Sequence, residues 1–479
     1  MPHDAKIPQV DPKDKALQQL AQSVREEVRK RHGVDLTFEQ RRDAAARVMA
    51  EVLWLDEEQD LQALVTWDEE VEVEGQRYRQ LEQPSSGVYY GRWGAHRVKE
   101  PPYRQVGVHN GPTIKPVELR VGMIARHMTP DLARIVGELS AHGSSREVEM
   151  MMTTVGLVPP SRAFLEKRTK QMAGELANEV ESLEEAARRA TPLPAEVGSV
   201  SCGMDRMAVR MAEPADPETA EPPSRTEPYQ RTPPPPKDHN WRMAWAGSAT
   251  IYDVHGHALH TWRYAAEADA DADEIARRVS ADISWVLRQH SDIPVQCIQD
   301  AAPELRALPE ALAKTVPANT NVQELVDFEH LMGYLEDVVD VCEQPGDPHN
   351  WKLWYRLELL RDDGAIDRIW RRLRRLAKRL PRDAAAERKA VAAALSYIRN
   401  RKHKMRYASS YAAGLAVGSG ATESTCGLMQ LRVKRRGQSW EPPGLRGILT
   451  IRGLVLSERW NTAWKPYAAT HRKEVRRAA

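Results

Sequence analysis

Near its C-terminal end the chain reads Gly418-Ser419-Gly420-Ala421-Thr422-Glu423-Ser424-Thr425-Cys426. The Gly-Ser-Gly turn predicts the start of a helix, and Glu423 then lies in the first turn of that helix. A cationic cluster follows closely, within residues 432–436. A carboxylate beside cationic groups suits a magnesium site that acts on a phosphate backbone. We therefore looked upstream for carboxylates that complete such a site.

Length and composition set few limits on function. The chain has 479 residues, a net charge of +1 and a mean hydropathy of −0.59, which predicts about two to four domains. The near-neutral total does not argue against nucleic-acid binding, because a local basic patch matters more than the sum. No apolar run is long enough to cross a bilayer, so we expect a cytoplasmic protein without a membrane partner. We expect reduced thiols, without disulfide or zinc, at Cys202, Cys297, Cys342 and Cys426.

The first 192 residues contain two kinds of pattern. Helical periodicity dominates, and Thr37 with Gln40 forms a capping box at the start of a helix. Between the helical stretches, Val71 and Val73 alternate with glutamates, which is typical of a strand. The patterns predict a helical region at 1–62, a small β-containing module at 63–112 and a helix-turn-helix-like region at 113–192.

A helix-turn-helix is the expected DNA-binding element of this N-terminal part. One helix ends near Gly156, the turn contains two prolines, and Ser161 caps the next helix. Two helices joined by a turn also occur in many protein cores, and the pattern alone does not separate the two interpretations. The candidate DNA contacts on the second helix are Arg162, Lys167 and Arg168.

Strand signals return after the helical region. The expected order is strand, hairpin, helix, strand, helix and strand, which is that of a ribonuclease H-like domain with a mixed sheet. We therefore predict an α+β protein whose catalytic domain is interrupted by an all-helical insertion. Its expected parts are 193–330, with a proline-rich loop at 213–240, then the insertion at 331–412, and finally 413–479 with basic C-terminal helices.

One helix of the expected insertion separates apolar from cationic residues. Ile366, Ile369 and Leu373 lie on one side, and arginines crowd the other. A core helix with a solvated charged face explains this pattern, and so does a surface that binds the phosphate backbone. The cationic excess favours DNA contact, and the candidate contacts are Arg371, Arg372 and Arg375.

Two aspartates are candidates to complete the site of Glu423. Asp205 lies in or at the end of the first predicted strand of the catalytic domain. Asp300 ends the short apolar strand 295–299. Carboxylates from adjacent strand ends and from a later helix can hold the metal ions that assist phosphodiester cleavage. Taken singly, each aspartate also fits a structural role, Asp300 as a helix N-cap and Asp205 as a turn residue.

Several segments carry more specific patterns. They are Val200-Ser201-Cys202-Gly203-Met204-Asp205-Arg206, Ile298-Gln299-Asp300-Ala301-Ala302-Pro303-Glu304-Leu305, Leu325-Val326-Asp327-Phe328-Glu329-His330 and the block 418–426. Further matching stretches are 397–400, 405–407, 432–440 and 449–452. Together they resemble the transposases of a bacterial insertion-sequence family, the ISKra type, over about residues 110 to 465. Arg206 and Ala301 stand where many related sequences have glycine, and Gly427 stands where a basic residue is frequent.

The resemblance implies a DDE transposase that cleaves and joins DNA at the ends of its own element. Asp205, Asp300 and Glu423 are then the catalytic residues and the ligands of two Mg²⁺ ions, for which Mn²⁺ can substitute. The implied partners are double-stranded DNA and at least one second copy of the chain, in a bacterial, nucleoid-associated setting. The competing hypothesis is a non-catalytic or repurposed sequence-specific DNA-binding protein derived from a transposase.

Other residues are candidates for accessory roles. Neutralisation of nearby phosphates is expected of Arg432, Lys434, Arg435 and Arg436. His330 assists near the acids or packs at a helix start, and Trp440 stacks on an unpaired base or belongs to the core. His255, His257 and His260 lie at a predicted hairpin turn without a cysteine nearby. An exposed turn explains these histidines better than a zinc site.

Overall fold

The computed structural model of the protein describes residues 14–214, 237–300, 302–342 and 347–478. They form two compact units. The first is Met1–Met172 together with Pro466–Ala479, and the second is Ala173–Lys465. The predicted last domain, 413–479, is therefore divided, because the end of the chain packs with the N-terminal unit.

Helices and strands alternate in blocks, and the chain is an α+β protein as predicted. The strands of the described residues are β1 (Glu70–Val73), β2 (Gln76–Gln80), β3 (Ser85–Gly91), β4 (Gly94–Glu100), β5 (Tyr103–Gln105), β6 (Thr113–Ile114), β7 (Ser199–Pro214), β8 (Lys237–Tyr252), β9 (Ala258–Ala266), β10 (Val295–Gln299), β11 (Val322–Val326) and β12 (Arg476–Arg477). Their helices are α1 (Lys15–His32), α2 (Phe38–Ala63), α3 (Pro116–Val121), α4 (Pro130–His142), α5 (Ser145–Thr154), α6 (Arg162–Asn178), α7 (Val180–Ala190), α8 (Ala272–Leu287), α9 (Ala307–Thr315), α10 (Phe328–Val341), α11 (Pro348–Arg361), α12 (Ala365–Arg379), α13 (Ala385–Arg399), α14 (Tyr407–Ala412), α15 (Gly420–Val433), α16 (Pro442–Leu456) and α17 (Trp460–His471).

The first unit contains the predicted helices and small strands. Thr37 accepts a hydrogen bond from the Gln40 N–H at 3.2 Å, and the Gln40 side chain accepts one from the Thr37 N–H at 3.0 Å. This capping box starts α2 as predicted. The strands form a sheet of order β12-β1-β2-β5-β6 and a separate hairpin of β3 with β4. The C-terminal β12 therefore closes the edge of a sheet built from residues near the N-terminus.

The second unit is built on a mixed sheet of order β11-β10-β7-β8-β9. β8 is antiparallel to β7 and to β9, whereas β10 is parallel to β7 and β11 is parallel to β10. The two faces of β7 contribute to separate apolar clusters. Met204, on one face, packs with α8, whereas Met207 and Val209, on the other face, pack with α15 and α16. Both faces of the sheet are therefore covered by helices.

The β7–β8 hairpin is longer than predicted. The two strands stay paired from Ser199↔Tyr252 to Pro214↔Lys237, so the ends of the expected loop 213–240 are strand. Asn240 and Arg242 both donate side-chain hydrogen bonds to Glu213, and these contacts continue the ladder. The proline-rich residues 215–236 lie outside the described residues.

Helices α10 to α14 occupy the predicted insertion between β11 and α15. Their apolar residues form one cluster that includes Leu331, Leu335, Ile369 and Tyr397. α13 packs against both α10 and α12, and α11 packs against α10.

All four cysteines of the chain are free thiols, as predicted.

A buried ion-pair network fixes the helices behind the sheet. Asp282 on α8 is fully buried and accepts hydrogen bonds from Arg459 at 2.8 Å, from Arg188 at 3.4 Å and from the Tyr264 hydroxyl. These partners come from α7, from β9 and from the residue before α17. A buried carboxylate with three partners is satisfied, so the network fixes the position of α8 on the sheet.

Candidate active site

The register of β10 against β7 brings two of the predicted acids together. Val295 lies opposite Val200, and Cys297 lies opposite Cys202. Counting on by three residues in this parallel register puts Asp300 level with Asp205. Burial raises the pKa of Asp205 above its ordinary value. The Arg206 N–H donates a hydrogen bond to its Oδ1 at 2.6 Å, which lowers the pKa, and the negative charge of Asp300 raises the pKa further. The two carboxylates are therefore close enough to repel each other.

Glu423 reaches the same region on α15, which packs across β7 and β8. The preceding residue, Thr422, is buried and its hydroxyl lies 2.8 Å from the Ser248 hydroxyl on β8. A Cβ atom at Gly203 would lie 2.6 Å from the Thr422 Oγ1 and 2.5 Å from the Ile298 carbonyl oxygen. Glycine at position 203 is therefore what allows α15 to approach β7 this closely.

Cys426 connects the first acid with the third. It lies three residues after Glu423 on α15, and its Sγ donates to the Asp205 Oδ2 at 3.7 Å. Burial raises the pKa of the Cys426 thiol to about 12, and the charges of Asp205 and Glu423 both contribute. Sequence reasoning missed this contact, although the spacing from Glu423 places both residues on one helix face.

Asp327 is a second residue that sequence reasoning did not assign. It follows β11 as Asp300 follows β10, and its side chain is almost fully buried. Its carboxylate accepts from the His330 N–H at 2.9 Å, which caps α10, and from the Ser419 N–H at 2.7 Å. The Ser419 hydroxyl in turn donates to the Glu423 Oε1 at 3.3 Å. Asp327 therefore holds the Gly-Ser-Gly turn that precedes the glutamate.

Two aromatic contacts place the insertion beside the acids. The Tyr397 hydroxyl on α13 donates to the Asp300 carbonyl oxygen at 3.1 Å. His330 is exposed, and its ring centroid lies 5.6 Å from that of Tyr397. The ring is close enough to Asp205 that its protonated form lowers the pKa of that carboxyl. His330 thus lies near the acids, as one of its two sequence interpretations requires.

The carboxylates suit a hard cation but do not meet at one point. Across the described ranges, no group of three or more His, Cys, Asp or Glu is close enough together to hold a metal ion. Carboxylate oxygens are the ligands that Mg²⁺ prefers, and the repulsion between Asp205 and Asp300 is what a bound cation offsets. The histidines at the β8–β9 turn also form no such group, and His255 and His257 are exposed.

The predicted basic residues of α6 and α12 differ in their surroundings. Arg162 and Lys167 are exposed at the start of α6, and Arg168 lies over the Phe164 ring. The connection from α5, residues 155–161, is longer than the usual helix-turn-helix turn. On α12 an open depression of about 620 Å³ is lined by Arg368, Arg371, Arg374, Arg375 and Lys378.

Two of the predicted DNA contacts pack on tryptophan rings, and Trp440 lies in the core, as one of its two interpretations requires. Arg372 lies away from the α12 depression, with its guanidinium 3.9 Å from the Trp351 ring centroid. Arg432 is 5% exposed and lies over Trp440, so it packs rather than faces solvent. Trp440 donates its indole N–H to the Val433 carbonyl at 2.9 Å and bridges to Met211, so its ring belongs to the packed core. Lys434 and Arg436 are exposed, and Arg435 is half-buried.

Comparison with protein-family models, curated proteins and solved structures finds no match to this chain. Among the described residues, no helix combines the length and apolarity that crossing a membrane requires.

Replacing Asp327 by alanine should destabilise the second unit by about 2–3 kcal/mol, because a helix cap and the acceptor of the Ser419 N–H are lost together. The control is Asp347→Ala, which removes only the exposed cap of α11 and should cost about 1 kcal/mol. Urea unfolding measures both. Equal losses in the two variants would contradict the role assigned to Asp327.

Asp205→Asn should make the metal-free protein more stable at pH 7. The pKa of Asp205 is raised in the folded state, so its ionised form opposes folding above that pKa. The gain should shrink as pH falls and vanish below the unfolded-state pKa of about 3.9. Urea unfolding in EDTA across this range measures it. Asp253→Asn is the opposite-sign control, because hydrogen bonds from His257 lower the pKa of Asp253. A loss of stability at pH 7 in Asp205→Asn would refute the repulsion argument.

Proposed function

We propose that the protein is a DDE-type transposase that binds the ends of its own DNA element and catalyses metal-dependent cleavage and strand transfer. One observation carries the proposal. Asp205, Asp300 and Glu423 are far apart in the sequence, yet β7, β10 and α15 bring them to one region of the sheet. A structural role explains each acid singly, but it does not explain why Asp300 comes level with Asp205 or why Cys426, one helical turn after Glu423, contacts Asp205.

The order of elements supports a ribonuclease H-like catalytic domain. β7, the β8–β9 hairpin, α8, β10, α9 and β11 follow each other as that fold expects. The helical insertion then intervenes, and α15 returns to the sheet with Glu423 in its first turn. An insertion before the glutamate is what the resemblance to the ISKra type implies.

The proposal includes two Mg²⁺ ions, for which Mn²⁺ substitutes, held by Asp205, Asp300 and Glu423. When bound, the ions activate the attacking water or 3′-hydroxyl and stabilise charge on the leaving oxygen. The chain's own residues hold the carboxylates in place. Cys426 donates to Asp205, Asp327 fixes the turn before Glu423, and Tyr397 donates to the backbone of Asp300.

Double-stranded DNA is the proposed partner, and joining two ends requires at least a dimer on the DNA. The α12 depression offers its cations to the phosphate backbone. Arg368 in that depression is already paired with Glu358 and Asp362, so the contacts fall to the others. Arg162 and Lys167 on α6 provide a further candidate surface in the first unit.

A second candidate function is supported by one observation. Because no group of three potential ligands is gathered in the described residues, a non-catalytic DNA-binding protein derived from a transposase also fits. That protein would bind DNA with strong salt dependence and would show no metal-dependent cleavage.

Cleavage of DNA that carries the element's own ends tests the chemistry. Wild-type protein should nick the ends with Mg²⁺ or Mn²⁺ and not with EDTA, and Asp205→Asn, Asp300→Asn and Glu423→Gln should each abolish nicking while DNA binding survives. Glu310→Gln, which removes an exposed carboxylate on α9, is the control and should cleave normally. Cleavage that persists in any variant of the triad would exclude the assignment. Binding without cleavage by the wild type would favour the second function.

Salt dependence tests the α12 surface separately. Arg371→Ala combined with Arg375→Ala should reduce the slope of log affinity against log salt by about two, since each lost phosphate contact removes about 0.9. The control, Arg361→Ala combined with Arg379→Ala, removes equal charge from exposed sites off the depression. Fluorescence anisotropy with a labelled duplex at several salt concentrations gives both slopes. Equal slopes for the two double variants would remove the α12 depression from the interface.

A further inference from the structure

Trp241 is an exposed indole in the first half of β8, where residues 237–243 are all exposed and the strand becomes buried only from Ala244 onward. It lies near the start of β8 and is 58% exposed, although tryptophan rings usually pack in cores. The neighbouring Met243 is 42% exposed. The ammonium group of Lys434, at the end of α15, lies 5.4 Å from the centre of the Trp241 ring. A solvent-facing indole beside a cation is the combination that binds an unpaired nucleotide.

The α15 helix connects this ring to the third acid. Lys434 lies eleven residues after Glu423, which at 1.5 Å per residue is about 16 Å. In the sheet, the ladder partner of Trp241 is Arg210, which lies five residues after Asp205. Because this spacing is odd, Arg210 and Trp241 belong to the face of the sheet opposite to that of Asp205, and the distance is measured along α15 alone.

We propose that Trp241 and Lys434 form a stacking platform for an unpaired base of the DNA substrate. The base stacks on the exposed indole, and the Lys434 ammonium contacts the adjacent phosphate. At 3.4 Å per nucleotide, about 16 Å corresponds to about five nucleotides between the platform and Glu423. This inference rests on the proposed function, and it moves the stacking role from the packed Trp440 to Trp241.

Charge supports a nucleic acid as the occupant. Arg436 is also exposed and lies two residues after Lys434 in the chain, so a second cation is available close to Lys434. An uncharged protein partner would not require this cationic margin. An aromatic ring flanked by phosphate-binding groups tolerates any base sequence, because every base has a face that stacks.

Binding of single-stranded DNA measured in EDTA tests the platform without requiring cleavage. The probes are a fluorescein-labelled oligothymidine and a labelled duplex of equal length. Trp241→Ala should weaken oligothymidine binding roughly tenfold and duplex binding less than about twofold, whereas Trp241→Phe should keep most of the affinity. Trp67→Ala is the matched control, because Trp67 is 55% exposed and lies in the first unit.

Each contrary outcome has a distinct meaning. Unchanged oligothymidine binding in Trp241→Ala, equal losses for both probes, or no oligothymidine binding by the wild type would overturn the platform. So would a change in sedimentation of the DNA-free Trp241→Ala protein, which would place the ring between two copies of the chain. A confirmed platform without metal-dependent cleavage would leave the stacking site standing and refute only the proposed chemistry.

Discussion

The parallel register between β7 and β10 is the constraint on which the site depends. Opposite residues of the two strands stay level, so Asp300 comes beside Asp205 only if Cys297 lies beside Cys202. A slip of one residue would turn every side chain of β10 to the other face of the sheet. All five residues of β10 are buried, so such a slip is costly and the pairing of the two acids is fixed by the core.

A second constraint joins the two ends of the helical insertion. The insertion leaves the sheet after Asp327 and returns at Ser419, and a 2.7 Å hydrogen bond joins these two residues. The same carboxylate starts α10, so the departure and the return are fixed by one side chain. Helices α10 to α14 are therefore anchored at both ends by the side chain that also holds the turn before Glu423. The contact of Thr422 with Gly203 then seats α15 on β7.

Local signals predicted the α+β class and individual helix starts, whereas contacts between distant segments made parts of the site unpredictable. Capping residues such as Thr37 and Ser161 marked helix starts because their hydrogen bonds reach only three residues along the chain. Asp205 was predicted in or at the end of the first strand and lies within β7, whereas Asp300 directly follows β10 as predicted. Asp327 and Cys426 were missed, because their roles arise from partners 92 and 221 residues away. Arg432 was predicted as a phosphate contact because sequence does not show that its guanidinium packs on Trp440, for which a core position was one of two interpretations.

The ionised form of Asp205, which the proposed metal site requires, lowers the stability of the metal-free fold. Burial and mutual repulsion raise the pKa of Asp205, so the ionised form that a cation needs is the form that the fold disfavours. A bound divalent cation would instead favour the ionised form of Asp205 and lower its pKa, because it attracts both carboxylates at once. The thiol of Cys426 offsets part of the cost through a weak hydrogen bond and adds no charge of its own. Stability of the second unit should therefore rise with metal in a way that depends on Asp205, which couples the proposed chemistry to folding.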